Sequence, residues 1–409
     1  SFCMKIAILS IGNELLSGDT INTNVGWMGR NLTDIGCDIC RQITVPDKKD
    51  SISNALTELV NLNPGYIICT GGLGPTDDDI TRETLFDFVG TESKFDQNYW
   101  ESLSVRFNRF GIQIPESNRN QALVPVDGDV IPNPVGSARG SKLQVNDTIL
   151  ISLPGVPAEM KAMMTDSVIP MIQENELNPK CIRTLRTTGI PESALIEKIA
   201  PVIEKDHACD IGYYPSLFGV DVRIAHTDSQ PVDLLSKDLY KILEFSIYAE
   251  EKDSIEDVII QLAKSKNSTV STAESCTGGL IGHRLTEVSG SSEVYKGGFV
   301  VYSNESKIDL LGVDKSILKK YGAVSEETAQ SMAKNVTKIF GSDYGISVTG
   351  IAGPGGGTDQ KPVGLVYIGF AKKDDVKVKE FHFGTHRKRN KLRTSQAALN
   401  WLRLSLLND

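Results

Sequence analysis

The chain has 409 residues, enough for two or three domains of about 150 residues each, and its 40% hydrophobic and 23% charged content is that of an ordinary folded protein. Fifty-two acidic against forty-three basic side chains leave a net charge of −9, which argues against a nucleic-acid binder with a basic face but leaves a nucleotide ligand open. With no run of about 18 apolar residues, a membrane-spanning helix is excluded.

Met4-Lys5-Ile6 runs straight into an apolar strand pattern without a signal-peptide pattern. A cytoplasmic protein is therefore expected, with Met4 its natural start after Ser1–Cys3. Lys5 to Ile11 predicts a buried strand ending in Gly12, and Asn24 to Ile35 a helix stopped by Gly36. Ile39 to Val45 follows as a strand. Ile52, Leu56, Leu59 and Leu62 then mark a helix, and Tyr66 to Cys69 a third strand entering Thr70-Gly71-Gly72. This βαβαβ order predicts a parallel sheet with right-handed crossovers. Its ligands are expected beyond the carboxyl ends of the strands.

Residues 174–180 read as a linker. Beyond it come a strand (Ile182 to Thr188), a helix (Pro191 to Glu204), two strands (around Ile211–Tyr214 and Val220–Ala225) and a helix (Val232 to Ala249). The βαββα pattern resembles a KH-type domain, but no Gly-x-x-Gly loop is present, so a spacer or dimerisation module is expected and no nucleic-acid partner. A second charged linker, 250–254, precedes a glycine-rich third unit. The seven cysteines are scattered, a reduced cytosolic usage; Cys37-Asp38-Ile39-Cys40 has redox-motif spacing but reads as a strand edge. The five histidines form no metal-site pattern.

In the third unit, strand Thr269 to Ala273 leads into Glu274-Ser275-Cys276-Thr277-Gly278-Gly279 and a helix. Ser275 thus sits at a strand-to-helix turn, where it either caps the helix or meets a ligand beside free N–H groups. Strand Gly297 to Tyr302 opens into Ser303-Asn304-Glu305-Ser306-Lys307. In a parallel sheet that turn adjoins the first, and desolvation can make Lys307 the base that a serine nucleophile requires; otherwise it is one more surface lysine. A third strand delivers Gly350-Ile351-Ala352-Gly353-Pro354-Gly355-Gly356-Gly357, whose amides suit a phosphate or an oxyanion.

These three segments, with Gly322-Ala323-Val324-Ser325 and Lys361-Pro362-Val363-Gly364, resemble the C-terminal domain of the CinA family, the nicotinamide mononucleotide (NMN) deamidases. The resemblance implies a Ser/Lys dyad at Ser275 and Lys307 and no cofactor. NMN would contact Thr277, Gly278, Gly279, Tyr302, Asn304, Gly350, Ala352, Gly353, Arg387 and Lys391. Where the family tends to carry Gly-Asp-Arg, this chain reads Gly384-Thr385-His386-Arg387, and Arg387, Lys391 and Arg393 are candidates to reach a phosphate.

In the first unit, Gly12-Asn13-Glu14 follows the first strand and Thr70-Gly71-Gly72-Leu73-Gly74-Pro75-Thr76-Asp77-Asp78-Asp79 the third. The carboxylates are hard ligands for a divalent ion on a diphosphate; alternatively, one aspartate caps the next helix. These motifs, with Asn22-Thr23-Asn24, Asn133-Pro134-Val135-Gly136 and Leu153-Pro154-Gly155, resemble the molybdopterin-binding-like (MoCF) N-terminal domain of the same family. The resemblance implies an ADP-ribose pyrophosphatase using a divalent metal, Mg or Co. Glu14, Asp77 and Asp78 would hold the metal, and Gly12, Glu14, Asn24, Thr70, Gly71, Gly72, Gly74, Asn133, Gly136, Pro154 and Gly155 the ADP-ribose. The family's usual Gly-Asp-Glu reads Gly12-Asn13-Glu14 here.

The expected architecture is α/β throughout: a three-layer MoCF-like domain (1–173), a small α+β KH-type domain (181–249) and an α/β C-terminal domain (255–409). A homodimer acting in pyridine-nucleotide recycling is implied. Three alternatives stand beside it: an N-terminal domain that only binds a nucleotide or pterin, a competence-related interaction protein, and a molybdenum-cofactor enzyme.

Overall fold

A computed structural model describes residues 4–205 and 208–408. The reading of Ser1–Cys3 lies outside the described residues. The chain forms two compact units, one through Lys180 and one from Cys181 onward.

The first unit contains β1 (Lys5–Ile11), β2 (Asp38–Val45), β3 (Tyr66–Thr70), a small hairpin of β4 (Ser93–Phe95) and β5 (Leu123–Pro125), then β6 (Asp129–Ile131), β7 (Gly140–Val145) and β8 (Thr148–Leu153). The main sheet runs β2-β1-β3-β8-β7-β6. Residues Ile6 to Ile11 of β1 are all buried. Ile6 and Ile8 pack with Met28, Leu32 and Met160 on one face, and Ala7 and Leu9 with Ile52, Leu56 and Leu59 on the other. Helices therefore cover both faces, giving three layers. β2, β1, β3 and β8 are parallel, as expected, but β7 runs antiparallel to both its neighbours, β8 and β6. The sheet is mixed because only two residues, Asn146 and Asp147, separate β7 from β8; Asn146 takes a positive φ of 51°. A connection that short makes only a hairpin.

The second unit starts with a four-stranded antiparallel sheet, β10-β11-β9-β12, built from β9 (Cys181–Thr187), β10 (Asp210–Pro215), β11 (Val220–His226) and β12 (Ile247–Glu250). Helices Glu192–Ile203 and Ser229–Leu243 close its core. The helix expected to reach Ala249 ends at Leu243. Glu244 adopts φ 45°, ψ −121°, a conformation no helix continues. The buried run Ile247-Tyr248-Ala249 then pairs with β9 as a fourth strand.

A five-stranded sheet follows, in order β14-β13-β15-β16-β17, with β13 (Val270–Glu274), β14 (Tyr295–Val300), β15 (Tyr344–Gly350), β16 (Leu365–Lys372) and β17 (Asp375–His382). β13 lies parallel to both β14 and β15, so the ends of all three point the same way. Helices Ile255–Ser265 and Arg387–Leu407 contribute Ile259, Ile260, Leu399 and Leu402 to one core. Helix Glu326–Phe340 contributes Met332 and Val336 to the other. Among the described residues no helix is long and apolar enough to cross a membrane, and the six described cysteines are free thiols.

Glu244 holds a backbone conformation that suits glycine. Glu244→Gly is expected to raise stability by about 1 kcal/mol, read as a higher denaturation midpoint; a lower midpoint would refute the backbone explanation of where this helix stops.

Candidate functional site

β13 ends at Glu274, and the chain stays in the sheet for one more residue. The Ser275 N–H donates to Val348 O at 2.9 Å on β15. Gly278 and Gly279 then take positive φ values of 62° and 93°, which turn the chain into helix Leu280–Thr286. The helix is capped by Glu274, not by Ser275. The buried Glu274 carboxylate accepts from Ile281 N and Gly282 N, both at 2.9 Å, and from Thr277 Oγ at 2.7 Å. An anion at a helix start is favourable, and it leaves the Ser275 hydroxyl free of any capping role. The Cys276 and Thr277 N–H groups of the turn donate to no acceptor among the described residues.

Lys307 lies on helix Asn304–Leu311, which starts beyond the end of β14 and is capped by Ser303. The side chain is 1% exposed. Its amine lies 3.0 Å from Ser275 Oγ, 2.9 Å from Val301 O and 3.4 Å from Tyr302 O. Among the described residues no carboxylate pairs with it. Burial draws its pKa below the usual lysine value, because a desolvated ammonium without a counter-charge is costly. A neutral amine has two N–H bonds and one lone pair. In that state the two carbonyls would take the bonds and the lone pair would be left for the serine O–H, whereas an ammonium would donate to all three oxygens. Neighbouring Cys276 is pushed by burial up to about 12, so its thiol stays protonated and unreactive.

Arg387 links two borders of this turn: Nη1 donates to Gly353 O at 2.8 Å and Nη2 to Tyr302 Oη at 2.7 Å. Asn390 donates to Ala352 O at 3.0 Å and to Gly384 O at 2.7 Å. The amine of Lys391 lies 3.6 Å from where a side chain on Gly278 would begin, while a side chain on Gly279 would meet Val300. Gly350 closes the end of β15 against Val366. The Thr277 side chain is fully buried and turned toward Glu274, so only its main chain faces the turn. Asn304 is exposed on the first turn of its helix and has no hydrogen bond to Ser275 or Lys307 among the described residues. Arg393 borders a different cavity. Glu274 and Asn390 are the residues that sequence reasoning passed over. Their signals were a carboxylate next to the candidate nucleophile and an amide one helical turn past Arg387.

In the first unit, a cleft of about 640 Å³ opens beyond the ends of β1, β3 and β8. Gly12, Glu14, Gly71, Gly72, Gly74, Asp78, Pro154 and Gly155 line it. Asn24 and Thr70 lie underneath and hold its floor, through Gly155 O at 2.8 Å and Pro154 O at 3.0 Å. Asn133 also supports rather than lines, holding Gly136 N at 2.7 Å and Glu159 at 2.6 Å. Asp77 borders the adjoining cavity instead. Asp79 accepts from Thr76 N and Oγ within its own loop, a turn-capping role.

Asp47 and Glu159 line the cleft as well and were not anticipated, although Asp47 stands two residues beyond β2, where a parallel sheet puts ligands. Asp47 Oδ2 accepts from Asn13 N at 2.9 Å. Burial, with added repulsion from Glu14 and Asp79, pushes its carboxyl above the usual range. Among the described residues no three His, Cys, Asp or Glu side chains gather closely enough to hold a metal. Glu14, Asp77 and Asp78 do not form such a group.

Three family models match the chain in succession: "Probable molybdopterin binding domain" over residues 7–174, "Damage-inducible protein CinA KH domain" over 182–239 and "CinA C-terminal domain" over 252–406. The chain is 39% identical over 416 residues to a CinA-like protein of Rippkaea orientalis, covering 99% of this chain and 100% of that one. It is 39% identical over 417 residues to a CinA-like protein of Microcystis aeruginosa, covering 99% of both. Among solved structures, the competence/damage inducible protein CihA from Agrobacterium tumefaciens is 42% identical, covers 37% of this chain and 93% of that chain, and has a TM-score of 0.37.

The buried amine carries a stability signature. With a folded pKa below 10.5, the unfolded chain binds more protons between the two values, so stability rises with pH across that window. Lys307→Met, which removes the desolvated charge, is expected to stabilise the protein at neutral pH by about 1–3 kcal/mol, with the gap to the parent closing toward pH 10.5. A variant less stable than the parent at neutral pH would refute the uncompensated-amine account.

Proposed function

The chain belongs to the CinA family, and on that premise we propose that its C-terminal domain is an amidohydrolase that converts NMN to nicotinate mononucleotide and ammonia. The observation that carries this reading is the 3.0 Å contact between the buried Lys307 amine and Ser275 Oγ. As neutral Lys307 takes the hydroxyl proton, the Ser275 oxygen bonds to the carboxamide carbon and the C=O electron pair moves onto oxygen. The Cys276 and Thr277 N–H groups, next to Ser275 and without an acceptor among the described residues, are the donors for that oxyanion. The new ammonium, still held by the Val301 and Tyr302 carbonyls, returns the proton to the departing nitrogen, and ammonia leaves. Water then attacks the acyl-enzyme, Lys307 again takes the proton, and the carboxylate is released with Ser275 restored. Arg387 and Lys391 are the cations in reach of the 5′-phosphate.

For the first unit, we propose ADP-ribose as the ligand of the glycine- and carboxylate-bordered cleft, with AMP and ribose 5-phosphate as products. A diphosphate meeting Glu14, Asp47, Asp78, Asp79 and Glu159 needs a cation between like charges, and among the described residues no three such side chains gather closely enough to hold one. This reading therefore rests on a divalent ion arriving with the diphosphate. We also take the protein to be a cytoplasmic homodimer.

Two assays test these readings. Ammonia release from NMN should fall by about 10³-fold or more in Ser275→Ala and in Lys307→Ala, and in the parent it should climb with pH as the amine loses its proton. A variant at either position that keeps the parent rate would eliminate the dyad. ADP-ribose should bind about tenfold more tightly with Mg²⁺ or Co²⁺ than without and then yield AMP. Saturable binding without AMP would reduce the unit to a nucleotide-binding module.

A further inference from the structure

A second cavity, of about 670 Å³, lies between the four-stranded sheet and the last helix of the second unit. That size is in the range of small-molecule sites. Its lining comes from the 188–192 and 215–220 segments, β17 and helix Arg387–Leu407. Four aromatic rings stand there only half-buried: Phe218, Phe381, Phe383 and Trp401. Phe381 and Phe383 are stacked at 5.7 Å with 8° between their planes. Trp401 also stacks on Phe370, and the exposed remainder of this half-buried cluster suits a flat apolar partner.

Two cations share the lining, Lys379 and Arg393, and among the described residues neither has an acidic partner. The Lys379 amine sits 4.2 Å from the centre of the Trp401 ring, and partial burial lowers its pKa. The acidic lining residue, Glu192, is solvent-exposed. Asn400 adds an amide whose oxygen is already held by Arg403. Rings beside uncompensated positive charge define one ligand chemistry: an aromatic group carrying an anion.

The cavity floor is rigid. Gln396 donates to Thr188 Oγ at 3.1 Å and accepts from Arg284 at 2.8 Å, and the Arg284 guanidinium lies 4.5 Å over the Phe218 ring. Arg284 belongs to the helix that follows the Ser275 turn, so the cavity wall and that turn share one element.

We propose that this cavity binds a nucleoside monophosphate, its base among Phe218, Phe381, Phe383 and Trp401 and its phosphate on Lys379 and Arg393, at a site separate from Ser275 and from the N-terminal cleft. The chain has three tryptophans, of which Trp27 and Trp100 lie in the first unit. In full-length Trp27→Phe/Trp100→Phe protein, the remaining indole fluorescence comes from Trp401 in the cavity wall. AMP, GMP and UMP are titrated against it, with adenosine and inorganic phosphate as the ring-only and anion-only probes. At least one nucleotide should quench Trp401 saturably below about 1 mM, and more tightly than adenosine. Adding Lys379→Gln/Arg393→Gln should weaken that binding by about tenfold or more at an unchanged melting temperature. No saturable quenching by any of the three nucleotides, or quenching indifferent to loss of both cations, would overturn the proposal.

Discussion

An amine with almost no access to water, touching a serine hydroxyl and two carbonyls but, among the described residues, no carboxylate, is the constraint around which the C-terminal domain is arranged. A lysine in that position is unfavourable for stability. Burial lowers its pKa, and its neighbours hold the nitrogen in place. Val301 and Tyr302 supply acceptors for two N–H bonds, and the parallel pairing of β13 with β14 sets the two turns side by side. Glu274 spends its charge on the helix start rather than on the amine. Had that carboxylate reached Lys307 instead, the ammonium would be stabilised and the hydroxyl left without a base.

The two units solve a similar problem with opposite electrostatics. Each puts its candidate site where strands of an α/β sheet end and glycines let the main chain come close, as at Gly71, where any side chain would collide with Ile11 O. In the C-terminal domain, however, the approach is cationic, through Arg387 and Lys391. In the N-terminal cleft it is crowded with carboxylates, enough that Asp47 is held above its usual range. Anionic ligands would enter the first directly and the second only with a counter-ion.

Much of this arrangement was legible in the sequence because it depends on local pattern. Alternating strand and helix periods located β1, β2 and β3, and the serine and lysine stand at the ends of apolar runs that could only be strands. What stayed hidden depends on contacts distant in the chain. Nothing in Glu274 distinguishes a cap from a catalytic acid, and Asn390 is lost in a basic stretch. Asp47, by contrast, sits at a strand end whose meaning is clear only once β2 is known to flank β1. The misplaced helix end at Leu243 has the same origin: Ile247 to Ala249 continue a helical apolar spacing, and only pairing with β9 makes them a strand. The aspartate run shows the limit most clearly: of three adjacent residues, Asp78 lines the cleft, Asp77 the adjoining cavity, and Asp79 borders both while capping its own turn.

The central claim, that Lys307 is a neutral amine at working pH, is open to direct observation. Carbon-13 NMR of the lysine Cε resonances, with the Lys307 signal assigned by its loss in Lys307→Met, follows protonation of that one nitrogen. A midpoint well below the ordinary lysine value of about 10.4 is the result the account predicts. A midpoint at or above that value would mean a charged, ordinary lysine, and the serine would have no base.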